Sequence, residues 1–292
     1  MKNLVYIACL LCMMSCNMQP EEKITWELQQ HPDMLVVESI ITNELKQQAV
    51  HLMLSNTYFD GSAPKNVSGA TIEVTDGVHP FRFLESSETP GWYFSEQAYA
   101  AESLKTYSLS IQLQHSINGL KEYTAQSQLP QGLEMDSMIC EIYKTPKMIA
   151  DEADDNKEKD TTIMGIYYFG KEPQTAENFY FAKVFRNKKL LYSNPKEYTY
   201  FNTASQNASY THLIGIQKNV VGNDTIRCRL FTIGKDYYHY LEAIQNSDFS
   251  GNAYSMSGPP ANAVGNISDG KALGYFLAAY VSDKETKAVD KR

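Results

Sequence analysis

The chain is predicted to be mainly β. An N-terminal immunoglobulin-like or transthyretin-like β-sandwich is expected over residues 33–130. A second β-rich domain with one amphipathic helix is expected over residues 131–285. Three observations predict this. Short apolar runs alternate with polar residues at period two. Turn residues separate the runs roughly every ten residues. One later segment switches to the helical period.

The elements follow in order. Leu35-Val36-Val37-Glu38-Ser39-Ile40-Ile41 is a β-rich run, and Val50, Leu52 and Leu54 alternate with His51, Met53 and Ser55. Ile72 and Val74 alternate with polar neighbours, and Asp76-Gly77 follows as a turn signal. Phe81 and Phe83 flank Arg82, and Gly91-Trp92-Tyr93-Phe94 opens another strand after Pro90. Trp92 and the alternating Phe side chains read as sandwich core. Tyr107, Leu109, Ile111 and Leu113 alternate strictly with Ser108, Ser110, Gln112 and Gln114. Asn118-Gly119 then turns the chain into Tyr123-Thr124-Ala125.

Pro130-Gln131-Gly132 is the expected boundary. Strands are then expected at Ser137–Tyr143, Thr162–Tyr168, Phe179–Phe185, Leu190–Tyr192, His212–Ile216 and Thr225–Ile233. Tyr237, Tyr240, Leu241 and Ile244 recur at i, i+3, i+4 and i+7, the apolar face of a helix. Asn252–Pro260 is an irregular Gly/Ser/Pro stretch. Leu273–Val281 is apolar on both faces and reads as a buried final strand.

Composition narrows the function classes. Of 292 residues, 43% are hydrophobic and 12% aromatic, too apolar for a disordered chain. Lys and Arg number 26 against 34 Asp and Glu, a formal charge of −8 with no basic stripe. A nucleic-acid partner is therefore not expected.

The start of the chain carries an address. Lys2 gives a positive n-region and Leu4–Cys12 an apolar h-region of signal-peptide length, too short to span a bilayer. Met13-Met14-Ser15-Cys16 fits a loose lipobox, with an apolar residue at −3 and a small one at −1. Residues 1–15 are thus read as a lipoprotein signal peptide, with Cys16 as the lipidation site. Several acyl chains make such anchoring stable, since one alone binds marginally. Residues 16–32 are a lipid-anchored tether. Asn17 is not the Asp that retains lipoproteins in the enterobacterial inner membrane, which favours the outer membrane. Glu21-Glu22-Lys23 reads as a surface-export signal or as a solvated tether.

Cys140 and Cys228 lie in alternating apolar stretches, where two exported thiols pair or stay buried and free. The acidic run Asp151–Asp160 has dense oxygen ligands for calcium. It lacks the turn Gly and the D-x-[DN]-x-[DN]-G order, so a solvated hairpin loop is the simpler reading.

A family resemblance rests on the order of particular segments. These are Leu35-Val36-Val37-Glu38-Ser39-Ile40-Ile41-Thr42-Asn43, Ser68-Gly69-Ala70-Thr71-Ile72-Glu73-Val74, Ser257-Gly258-Pro259-Pro260-Ala261-Asn262, Gly265-Asn266-Ile267-Ser268-Asp269-Gly270 and Ala272-Leu273-Gly274-Tyr275-Phe276. Over essentially the whole mature chain this resembles an uncharacterised Bacteroidota outer-membrane lipoprotein family, domain of unknown function 4249. The closing segment is the most specific part. Members typically carry Glu-Gly where this chain has Glu38-Ser39, and often a double Gly where Asp269-Gly270 stands. The resemblance implies a neighbourhood of TonB-dependent outer-membrane receptors and supplies no catalytic residues.

Motifs for catalysis are missing from the sequence. It contains no G-x-S-x-G, H-E-x-x-H, Walker loop or G-x-G-x-x-G. His31, His51, His79, His115, His212 and His239 show no metal-ligand spacing, so neither a metal nor a cofactor is expected. His239 reads as solvent-facing or bonded to a Tyr. Binding is expected to use aromatics, because Tyr supplies area plus a hydroxyl. Tyr198, Tyr200 and Phe201 stand in a Ser/Asn/Thr-rich stretch and are expected on an exposed loop. The expected function is a non-catalytic outer-membrane lipoprotein, facing the cell surface, that assists a TonB-dependent transporter in ligand capture or uptake. The alternative is a glycan-binding or adhesive surface module independent of a transporter.

Overall fold

The computed structural model describes residues 33–56, 63–144, 162–173, 177–204, 209–217, 220–246 and 263–291, with backbone alone at 209–217. The lipobox with Cys16, the tether, the acidic run 151–160 and the stretch 252–260 lie outside the described residues. The fold is mainly β, with one helix among the described residues. The strands are β1 (Leu35–Thr42), β2 (Ala49–Leu54), β3 (Thr71–Thr75), β4 (Pro80–Glu85), β5 (Trp92–Ser95), β6 (Thr106–Ile117), β7 (Leu120–Gln128) and β8 (Glu134–Lys144). They continue with β9 (Thr162–Lys171), β10 (Glu177–Arg186), β11 (Lys189–Leu190), β12 (Thr199–Ala204), β13 (Ser209–Gln217), β14 (Thr225–Ile233) and β15 (Leu273–Asp290). Helix α1 (Lys235–Asn246) lies between β14 and β15.

Local chemistry sets the turns. Asn118 (φ 48°) and Gly119 (φ 79°) close the β6–β7 hairpin with the two left-handed residues that a tight hairpin needs. At the β3–β4 turn, the Asp76 carboxylate accepts from the backbone N–H groups of Val78 (3.0 Å) and His79 (2.6 Å). That side chain does the work of a backbone acceptor.

The sheet path runs β11-β10-β14-β15-β1-β2-β5-β4-β3-β6-β7, with β12 on β10, β8 on β15 and β9, and β13 on β9. Its pivot is β15, 18 residues long. Its first half pairs parallel to β1, from Val36–Leu273 to Thr42–Ala279. Its second half pairs antiparallel to β14, and its end pairs parallel to β8 from Ala288–Cys140. The strand also divides its side chains by parity. Phe276 and Ala278 enter a first core with Leu35, Val37, Ile41, Tyr93, Leu109 and Tyr123. Leu277, Ala279 and Val281 enter a core on the opposite face under α1. Ala288 enters a further core with Met135, Cys140, Ile166, Tyr180 and Cys228. Leu129 belongs to the first core and Leu133 to the one containing Cys140. The chain therefore passes between cores at Pro130-Gln131-Gly132. A side chain on Gly132 would fall within the Tyr280 ring.

The segment before β15 locks this arrangement. The Asn266 amide donates to the carbonyls of Gln126 (2.9 Å) and Phe276 (2.8 Å), while its oxygen accepts from the Phe276 N–H (3.0 Å). Ile267 is fully buried in the first core. The Ser268 hydroxyl accepts from the Thr124 N–H at 2.9 Å. These bonds draw β7 over the start of β15.

One sequence expectation changes here, and the choice left open for the two thiols is resolved. Trp92 is not core: it is 36% exposed and stacks on the His51 ring at 4.2 Å. Period two in β5 sends Tyr93 inward instead, where its hydroxyl donates to the Val67 carbonyl and accepts from the Ala70 N–H, both at 3.0 Å. Phe81 is half-buried and stacks on Tyr99 at 3.9 Å. Cys140 and Cys228 are free and buried, and burial pushes each thiol up to about 12, so neither is a thiolate at neutral pH.

Gly274 has φ +86°, and a Cβ there would lie 2.0 Å from the Val37 carbonyl oxygen. Only glycine permits this approach of β15 to β1. Gly274→Ala should cost about 2–4 kcal/mol, read as a lowered urea midpoint, whereas Gly119→Ala, with open space around it, should cost less.

Candidate binding site

One face of the sheet collects rings and charges. Along β10, Phe179, Phe181 and Lys183 share that face, and Phe231 and Arg229 stand opposite Phe181 and Lys183 on β14. Val281 and Asp283 continue the rows on β15. On β1 the same face carries Glu38, whose register partner on β15 is Tyr275. Period two alone puts these residues together.

Helix α1 covers part of the face. Gly234 precedes it, and Asp236 lies in its first turn, where a carboxylate complements the helix dipole. Tyr237 and Leu241 are buried and Tyr240 and Ile244 half-buried, as the helical spacing predicts. The Tyr275 ring packs against Tyr237 at 4.9 Å and Tyr240 at 5.0 Å. Phe181 stacks on Phe231 at 4.3 Å and on Tyr198 at 5.7 Å. Such ring pairs add about 0.5–1.5 kcal/mol each beyond their burial.

The charges on this face are unevenly matched. Arg229 pairs with Glu44 and lies 3.7 Å from Asp283. Burial alone would raise Glu44, but Lys46 and Arg229 hold it at about 2. Lys183 is half-buried, and its Nζ lies 5.3 Å from the Tyr198 ring centre and 5.7 Å from that of Phe231. Among the described residues it makes no hydrogen bond or ion pair. Burial, and then Arg229 directly across the ladder, depress its affinity for a proton, while Glu38 acts the other way. Like charges directly opposite each other destabilise a sheet, so this pair needs a reason.

Tyrosines surround the same spot. The hydroxyls of Tyr237, Tyr240 and Tyr275 bond to no group among the described residues. Burial pushes Tyr240 and Tyr275 up to about 12 and raises Tyr198 and Tyr237 as well. The Glu38 carboxylate adds to the rise at Tyr198, Tyr237 and Tyr240.

The three aromatics expected on an exposed loop lie elsewhere. Thr199–Ala204 is strand β12, paired with β10 from Ala182–Thr199 to Glu177–Ala204. Tyr198, just before it, is buried and stacked on Phe181. Tyr200 is half-buried and meets the Tyr238 ring edge-on at 5.1 Å. Phe201 points to the opposite face and packs 5.3 Å from Tyr180. The strand is also held there by Thr203, whose hydroxyl donates to the buried Glu172 carboxylate at 3.1 Å. Polar composition hid this strand because its ladder to β10 supplies the pairing that side chains do not advertise. Of the three, Tyr198 and Tyr200 border the site and Phe201 does not. Lys183 and Arg229 were missed, although Lys183 shares the parity of Phe179 and Phe181 and Arg229 that of Phe231 and Ile233.

Nothing here assembles a metal centre: among the described residues no three His, Cys, Asp or Glu side chains group for a cation, and no helix is long and apolar enough to cross a membrane. His239 is exposed, with Nδ1 2.8 Å from a Glu242 oxygen. The arrangement is suited to binding, with apolar ring faces and a few unpartnered polar tips.

The profile of a family described as a domain of unknown function (DUF4249) matches residues 21–285. The chain belongs to the DUF4249 family. No curated protein matches it. Among solved structures, the BSP domain of a biofilm-associated protein is similar at 6% identity and a TM-score of 0.15, over 86% of this chain and 58% of that one. The chain thus spans under two thirds of that structure's length, and a likeness so slight carries no argument. For this DUF4249 chain the match takes in both the β1 segment with Glu38 and the closing segment with Tyr275.

The two aromatic groups should respond differently to truncation. Leu241→Ala should cost about 2–5 kcal/mol, because Leu241 is fully buried beneath α1. Tyr200→Ala, removing a half-buried ring from a sheet edge, should cost less. Thermal melts of the two variants compare them directly.

Proposed function

We propose that this DUF4249 protein is a non-catalytic lipoprotein of the outer membrane, anchored through Cys16 and facing the cell surface, that captures ligand for a TonB-dependent transporter. The observation that carries the reading is the order of Lys2, the apolar run Leu4–Cys12 and the small residue Ser15 before Cys16. The face beneath α1 supports the capture role, because its unpartnered ammonium and tyrosine hydroxyls have no structural duty that explains them.

The anchor fixes how the site works. Acylation at Cys16 confines the protein to the membrane. Ligand held there meets a transporter in the same membrane at an effective concentration far above that in bulk.

Substitution of Cys16 by Ala should abolish incorporation of labelled palmitate and move the protein out of the membrane fraction. Retention of label would contradict the anchor. Tagged wild-type protein extracted in mild detergent should carry an outer-membrane β-barrel receptor with it. Membrane attachment without any receptor would remove the transporter from the account and leave an independent surface module.

A further inference from the structure

The groups beneath α1 specify a ligand as well as a place. We propose that this site binds a carboxylated pyranose, a uronic-acid type of sugar, with its carboxylate on Lys183 and its ring hydroxyls among Tyr237, Tyr240, Tyr275 and Glu38. The inference rests on the reading that this face is the capture site, and it names the chemical class captured.

Three observations converge. First, Lys183 is a half-buried cation with no anionic partner among the described residues, held over the Tyr198 and Phe231 rings. The neighbouring cation Arg229 is already matched to Glu44 and Asp283, so the charge that remains unmatched is at Lys183. An arriving carboxylate completes that pair, and partial desolvation strengthens it relative to an exposed pair.

Second, three tyrosine hydroxyls, on rings of the same aromatic cluster as Tyr198 and Phe231, bond to nothing in the described residues. Each can donate and accept, as a sugar hydroxyl does. Glu38 only accepts when ionised, and its carboxylate, on a side chain 62% exposed, is free to accept a hydrogen bond from a sugar hydroxyl. The His51 ring stands beside it, with Nδ1 3.9 Å away while Nε2 engages Asn66 at 3.0 Å.

Third, the surroundings are aromatic rather than charged. Tyr240 and Tyr275 are half-buried rings packed 5.0 Å apart. Ring faces suit the C–H face of a pyranose. An acidic peptide would need several cations, and this face has one unmatched. A neutral sugar would leave Lys183 unsatisfied. The carboxylated sugar uses the ammonium, the hydroxyls and the rings together.

The test is isothermal titration of the soluble Cys16→Ala protein with three probes: D-glucuronate, D-glucose and tetraglutamate. D-glucuronate should bind at least tenfold more tightly than D-glucose, and tetraglutamate should show no comparable affinity. Lys183→Met keeps the stem and should weaken D-glucuronate at least tenfold while leaving D-glucose unchanged. Lys183→Arg should restore most of the loss, and Tyr240→Phe should weaken both sugars. Unchanged melting temperatures confirm that each variant is folded. Equal affinity for both sugars, tighter binding of tetraglutamate, or indifference to Lys183→Met would overturn the proposal. If neither sugar binds while wild-type protein still recovers the receptor, the ligand class is wrong and the transporter reading stands.

Discussion

The parallel pairing of the chain's first and last strands is the constraint on which the rest depends. β1 has its β2 partner nearby in sequence, but its other edge is satisfied only when β15 arrives from the far end of the chain. Unpaired edges expose backbone donors and acceptors, so this closure is a requirement of a stable sheet. It is achieved by an unusual approach, in which Gly274 lets β15 lie against the Val37 carbonyl and Gly265 lies against Gly274. Asn266 and Ser268 then bind the neighbouring backbone of β7. The closing segment matched by the family is, in physical terms, a clasp.

From that clasp follows the placement of the site. Because β15 alternates its side chains, the same strand that fills the first core with Phe276 and Ala278 presents Tyr275 and Leu277 to the other face. Helix α1 is delivered to that face by the connection from β14, and it leaves part of the face uncovered. Lys183 and Glu38 border what remains. The Lys183 ammonium and the Glu38 carboxylate take no part in the backbone ladders of their strands. Lys183 opposite Arg229 opposes stability, a cost that is usual at binding sites and unusual elsewhere.

Much of the fold was legible in the sequence because period two and turn chemistry are local signals. Thr225–Ile233 is a strand with the expected bounds, and Asn118-Gly119 makes the expected hairpin. Tyr237, Tyr240 and Leu241 face the core as their spacing required, and Ile244 is half-buried. The clasp was visible as a motif but not as a mechanism, since Asn266 acts on Gln126, 140 residues away. Strand β12 and the exposure of Trp92 were misread for a common reason. Polarity and aromaticity report average environments, whereas pairing partners decide which face a residue takes. The site was half legible: its tyrosines stood out by density, but Lys183 and Arg229 looked like ordinary strand charges until the register set them side by side.

If β15 joins the cores, they should lose structure together. The most direct measurement is urea unfolding of purified residues 16–292 carrying Cys16→Ala and Trp26→Phe, followed by two probes at once. Trp92, then the only tryptophan, reports the first core. Thiol-reagent labelling of the buried Cys140 and Cys228 reports the core they share. The account predicts coincident midpoints and a single cooperative transition. Two separated transitions, with the thiols exposed while Trp92 remains native or the reverse, would contradict it.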